Sequence, residues 1–128
     1  MFMMADKEKI KAFVQDVLGC GCAEEVFKII DLSREETAGL QYDRINIGNR
    51  LLVYVFQTDD PGFASNAMPR IVRTGVDERN SKSFNRFRLV LATDDARVGN
   101  DAMRAYLKLG FTDDRTFMHV VKKSQVSF

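Results

Sequence analysis

Arg50-Leu51-Leu52-Val53-Tyr54-Val55-Phe56-Gln57-Thr58-Asp59-Asp60 is the stretch on which the fold turns. Leu51 to Phe56 are apolar at both parities. A strand with one wet face alternates, so this one is expected to be central and covered on both sides. Just before it stands Gly48-Asn49, a pair suited to a tight hairpin turn, with residues 43–47 as the other arm. Just after it the chain begins to repeat itself. At an offset of 35 residues Val55 meets Val90, Thr58-Asp59-Asp60 meets Thr93-Asp94-Asp95, Ala67-Met68 meets Ala102-Met103 and Gly75 meets Gly110. Each copy reads strand, Thr-Asp-Asp, loop, helix, glycine. Two successive βα units follow, closed by a last strand over 116–122. Crossovers of the usual hand make the strands at 50–57, 86–93 and 116–122 parallel. Pro69 falls in the first turn or two of the first unit's helix, where its missing N–H costs least. The polar stretch 77–85 either extends that helix or forms a loop.

Upstream, Ile10, Phe13, Val14, Val17 and Leu18 recur at the spacing of one helical face, which predicts a helix over 6–18. Asp6 is its expected N-cap, and Gly19 a C-terminal stop in the left-handed conformation. Residues 26–32 are rich in branched and aromatic side chains and read as a first strand, with a polar connection over 33–40. The expected object is one α/β domain over residues 1–128. It has an N-terminal helix, a hairpin and two βα units, forming a mixed sheet of four to five strands with about three helices packed on it.

The chain has 128 residues, 45% of them hydrophobic and 29% charged, an ordinary globular balance. Nineteen basic side chains against eighteen acidic leave a net charge of +1, so no overall field draws the protein to nucleic acid or an acidic membrane. Two cysteines and one histidine are too few for a disulfide framework, a four-cysteine cluster or a zinc finger within one chain. The opening Met1-Phe2-Met3-Met4-Ala5 runs at once into Asp6-Lys7-Glu8-Lys9 and lacks the apolar stretch of roughly 7–15 residues that a secretory signal needs. The longest apolar run, Leu51 to Phe56, is far below the roughly 20 residues of a membrane span. A cytoplasmic location with reduced thiols is expected.

Cys20-Gly21-Cys22 is the sharpest chemical feature. Two thiols around a glycine can chelate a soft ion, zinc or copper(I), or close a small strained disulfide ring. They can also be two small apolar residues at a tight turn. Cys20 follows a helix C-terminus, which opposes a thiolate, whereas Cys22 precedes Ala23-Glu24-Glu25, which can open a short helical turn. Zinc wants more ligands than two, and His119 lies on the last predicted strand; two copies across a dimer axis would supply four thiolates.

The Thr-Asp-Asp segments form the second candidate. Asp59, Asp60, Asp94 and Asp95 end neighbouring parallel strands on the carboxyl edge of the sheet, where open α/β sheets bind ligands and where a hard cation such as magnesium would sit. Asp and Thr are equally the caps and turn residues between strand and helix, and Thr112-Asp113-Asp114 repeats the pattern before a strand. Third, Arg70, Arg73, Arg79, Lys82, Arg86 and Arg88 surround Phe84 and Phe87, a composition that can hold phosphates and stack bases. A solvated face accounts for it as well, and nucleic acid is not the expected partner. His119 reads most simply as a strand side chain satisfied by a hydrogen bond.

No dinucleotide-binding glycine pattern, phosphate-binding loop or nucleophile elbow is present. Ala102-Met103-Arg104-Ala105-Tyr106-Leu107-Lys108-Leu109-Gly110-Phe111 resembles the helix-to-strand passage near the C-terminus of the GNAT acetyltransferase family, whose acetyl-coenzyme A loop has no counterpart in this chain. Leu18-Gly19-Cys20-Gly21-Cys22-Ala23-Glu24-Glu25-Val26-Phe27, with Asn85-Arg86-Phe87-Arg88-Leu89-Val90-Leu91, resembles a small prokaryotic family with a Leu-Gly-Cys-x-Cys-Pro-x-Glu-Val-Phe segment. That resemblance implies no established activity, and Ala23 stands where the pattern has proline. The leading expectation is an accessory or binding protein with a Cys-x-Cys thiol or soft-metal site. The alternatives are a small enzyme or ligand-binding domain using the carboxyl edge, and an interaction module with structural cysteines.

Overall fold

A computed structural model describes residues 7–19, 23–37, 39–110 and 115–128. Helix α1 (Lys7–Asp16) leads into a short 3-10 turn at Glu24–Lys28 and three antiparallel strands, β1 (Ile30–Thr37), β2 (Leu40–Ile47) and β3 (Leu51–Gln57). Helix α2 (Met68–Ser81), strand β4 (Arg86–Ala92), helix α3 (Ala96–Lys108) and strand β5 (Thr116–Val121) follow. The five strands lie in sequence order, with β3–β4 and β4–β5 parallel. This is the expected mixed sheet with three helices.

The hairpin turn behaves as its residues require. Gly48 and Asn49 both adopt positive φ, +62° and +57°, and the Arg50 N–H donates to the Ile47 carbonyl at 3.0 Å. Two left-handed central residues match the twist of the flanking strands. β3 is buried from Leu51 through Phe56 and forms the middle of the sheet. Its odd positions, Leu51, Val53 and Val55, meet Ile10, Phe13 and Val14 of α1. Its even positions, Leu52, Tyr54 and Phe56, meet Met68, Ile71, Val72, Ala102 and Tyr106 of α2 and α3. Both crossover helices therefore share one face, as crossovers of a single hand demand.

The 35-residue offset proves to be a spatial register. Every β3–β4 pair from Leu51↔Arg86 to Gln57↔Ala92 is separated by that number, so the residues that match in sequence lie side by side. The likeness ends at the glycines. Gly110 follows α3 with φ of +81°, but Gly75 lies inside α2, where a Cβ would come within 2.1 Å of the Phe87 ring. It is there for close packing, not as a helix stop.

The start of the sheet also differs from expectation. Residues 24–28 form the 3-10 turn, and the first strand is Ile30–Thr37, so most of the stretch read as a polar connection is strand. β2 likewise begins at Leu40, three residues early. β1 is an edge strand, largely exposed after Ile30, and all eight of its residues pair with β2. Its conformation comes from that ladder, since Ser33-Arg34-Glu35-Glu36 carries no apolar alternation to announce it. Pro69 lies in the first turn of α2 after a π-helical turn at Phe63–Ala67, and the helix runs on into the polar stretch as far as Ser81. Gly19 takes the left-handed conformation beyond α1, with φ of +68°. The expected cap Asp6 and the segment Thr112-Asp113-Asp114 lie outside the described residues. Among the described residues no helix is long and apolar enough to cross a membrane.

Candidate functional site

At the carboxyl edge the two Thr-Asp-Asp segments perform the same local bonding. The Thr58 hydroxyl accepts the Asp60 N–H at 3.0 Å, and the Thr93 hydroxyl accepts the Asp95 N–H at 3.2 Å. Asp60 accepts the Gly62 N–H, and Asp95 caps α3 by accepting the N–H groups of Arg97 and Val98. These are turn and cap bonds that satisfy otherwise orphaned donors. Asp59 ties the units together, accepting from the Thr93 hydroxyl at 2.7 Å, the Asp94 N–H at 3.0 Å and Lys123 Nζ at 2.7 Å. Those bonds, that of Lys123 foremost, hold its carboxyl at about 2, below the ordinary range. Asp94 in turn accepts the Lys123 N–H at 3.2 Å. Of the two readings of Asp59, Asp60, Asp94 and Asp95, these bonds are those of turn and cap residues. Each of the four engages at least one carboxylate oxygen with a backbone N–H, Asp59 also with the Thr93 hydroxyl and Lys123, and among the described residues no three metal-binding side chains gather.

A cavity of about 380 Å³ lies at the opposite, amino edge of the parallel strands, where β3 starts at Leu51 and β4 at Arg86. That volume falls within the range of small-molecule sites, about 300–1,000 Å³. Leu18, Val26 and Leu51 supply apolar wall, and Arg50, Arg86 and Arg88 supply charge, with Glu25 the only acid among the described lining residues. The chain geometry explains the convergence. The Arg50 carbonyl accepts the N–H groups of both Asn85 and Arg86, at 2.8 and 3.0 Å, which fixes the β2–β3 turn against the start of β4.

Cys20 and Cys22 lie outside the described residues. The residues bonded to them on either side, Gly19 and Ala23, both line this cavity. The two flanks are also tied to each other. Lys11 of α1 pairs with Glu24 of the 3-10 turn at 2.6 Å and stands over the Phe27 ring. The short turn expected after Cys22 is this one, Glu24–Lys28.

The basic stretch divides. Arg70 and Arg73 are exposed on α2, whereas Arg79 is buried and donates to the Thr116 hydroxyl. Lys82 pairs with Glu78, and Arg86 and Arg88 reach the cavity. Phe84 and Phe87 are both core residues, which removes the aromatic surface that base stacking would need. His119 sits on β5 beside Val90, on the α1 face of the sheet. The hydrogen bond expected for it is not found: its Nε2 is buried with no partner among the described residues. Burial first, and then the Arg88 charge, lower its pKa to about 4.

Reasoning from sequence alone missed two groupings. Arg50 was no part of the basic stretch, and only the β3–β4 register brings it to Arg86. Glu78 takes both its oxygens to Arg44 Nε at 3.0 and 3.1 Å and also holds Lys82 and the Tyr54 hydroxyl, joining α2 to β2 and β3. No short motif signals either one. Family models, curated proteins and solved structures offer no match to the chain.

Proposed function

We propose that this chain is an accessory or binding protein that uses Cys20 and Cys22 as a thiol or soft-metal site. One observation carries the reading: Gly19 and Ala23, each one peptide bond from a cysteine, line the same cavity as Arg50, Arg86 and Arg88. Guanidinium groups favour the thiolate over the thiol, and the thiolate is the form that ligates metals and exchanges disulfides. Two thiolates alone suit copper(I), which accepts low coordination, better than zinc, which takes three or four protein ligands. A zinc site would draw the four cysteines of two chains together, and the protein would then be a homodimer when loaded.

The test is an anaerobic titration of the reduced protein with copper(I) and with zinc against a competing chelator. The reading expects about one copper(I) per chain, or about one zinc per two chains with a doubled mass. Cys20→Ser/Cys22→Ser is expected to abolish either. Stoichiometric binding that survives this double substitution, or no binding together with inert thiols, refutes it.

A further inference from the structure

We infer that the amino-edge cavity binds an organic anion, with its carboxylate or phosphate held by Arg50 and Arg86 and its apolar body lying on Leu18, Val26 and Leu51. The inference uses only described residues and stands apart from the two thiols.

Charge is the first support. Three guanidinium groups and one carboxylate share the lining, a local excess of positive charge that the net charge of +1 conceals. Arg34, Arg44 and Arg104 pair with Asp43, Glu78 and Asp101, but among the described residues neither Arg50 nor Arg86 has an acidic partner. Rigidity is the second. Both arginines stem from backbone locked by the paired bonds to the Arg50 carbonyl and by the Leu51↔Arg86 register, so little backbone order remains to be lost on binding. Ligand chemistry is the third. Guanidinium forks match the planar oxygens of carboxylate and phosphate, and each bond is charge-assisted. The apolar wall asks for more than a bare ion, so a ligand with a short hydrocarbon body gains both from burial and from pairing.

The experiment is calorimetric titration of the full, reduced chain at low salt with hexanoate, hexyl phosphate and neutral hexanol. Saturable binding of at least one anion is expected, with hexanol weaker by about tenfold or more. Added salt should weaken the anion, since the pairs are solvent-accessible. Arg50→Gln/Arg86→Gln should lose about tenfold or more in affinity, and Arg86→Lys, which keeps the charge but not the fork, should fall between. Neither side chain makes a described contact that holds the fold, so the melting temperatures should match the parent. Cys20→Ser/Cys22→Ser should bind the anion as the parent does while losing metal, so that the two readings fail separately. The inference is overturned if neither anion binds below about 10 mM, if hexanol binds equally well, or if folded Arg50→Gln/Arg86→Gln retains parental affinity.

Discussion

The carboxylate of Asp59 accepts the backbone N–H of Asp94, its counterpart 35 residues later, across the tips of two neighbouring parallel strands. A side chain in the first βα unit thus closes the loop that opens the second, and Lys123 locks the same carboxylate from the C-terminal side. The repeated Thr-Asp-Asp segments thus tie the two loops at the carboxyl edge of the sheet to each other. The open cavity lies at the other end of the same strands, beside Arg50 and Arg86.

Capping at that edge predicts a modest, metal-independent cost. Asp95 accepts two N–H groups of the first turn of α3, so Asp95→Ala should lose about 1 kcal/mol in urea unfolding. Asp95→Asn, which can still accept, should lose less. Magnesium should move the midpoint of neither variant nor of the parent. A magnesium-dependent rise in stability, absent from Asp60→Asn/Asp95→Asn, would restore the cation reading.

Gly75 reverses the usual helix rule. In an open helix Gly→Ala gains roughly 0.5–1 kcal/mol. At this position the new methyl would lie 2.1 Å from the Phe87 ring, which is fully buried between α2 and the sheet. Gly75→Ala should therefore destabilise, by about 1–3 kcal/mol or more. Phe87→Leu should relieve part of that clash, so the pair should be less damaging than the sum of the two. Thermal or urea unfolding of the four proteins measures the coupling.

Two half-buried groups contribute to the acid limb of stability, in successive windows. Burial raises the pKa of Glu78, but the bonds from Arg44, Lys82 and Tyr54 outweigh it and hold the carboxyl at about 2. A lowered carboxylate stabilises above its unfolded value and loses that contribution as pH falls through the folded value, here from 4.5 toward about 2. The whole step is about 3 kcal/mol, and Glu78→Gln should remove it. His119 acts higher. Its folded value of about 4 lies below the ordinary 6.5, so the unfolded chain takes up the proton first. Stability should fall as pH drops from 6.5 to 4, and His119→Gln should flatten that window alone. Urea midpoints from pH 7 to pH 2 check both signs.

What was legible in the sequence was local or repeated. The Gly48-Asn49 turn, the doubly buried Leu51–Phe56 run and the helical face of Ile10, Phe13 and Val14 each carry their reason within a few residues. The 35-residue offset was visible because matching residues recur at that spacing, and the β3–β4 register sets them side by side. β1 was harder, because its polar residues are held by pairing with β2 and have almost no core side of their own. The role of Gly75 depended on which ring would pack against it, and that ring lies twelve residues away on β4. At the candidate site the cysteines were visible as a pair, but Arg50 and Arg86 meet only through a parallel register.

The most direct measurement of the central claim is the rate at which the folded, reduced protein is alkylated, followed by mass spectrometry across pH. If Cys20 and Cys22 form a thiolate site, both should react in the folded state, and the rate should persist below the pH at which a free cysteine falls silent, ordinarily near 8.5. Arg50→Gln/Arg86→Gln should move that profile upward in pH, and a stoichiometric soft metal should suppress the reaction. Thiols that resist the reagent until the chain is unfolded, in a protein that also binds no copper(I) or zinc, would mark the pair as packing and contradict the account.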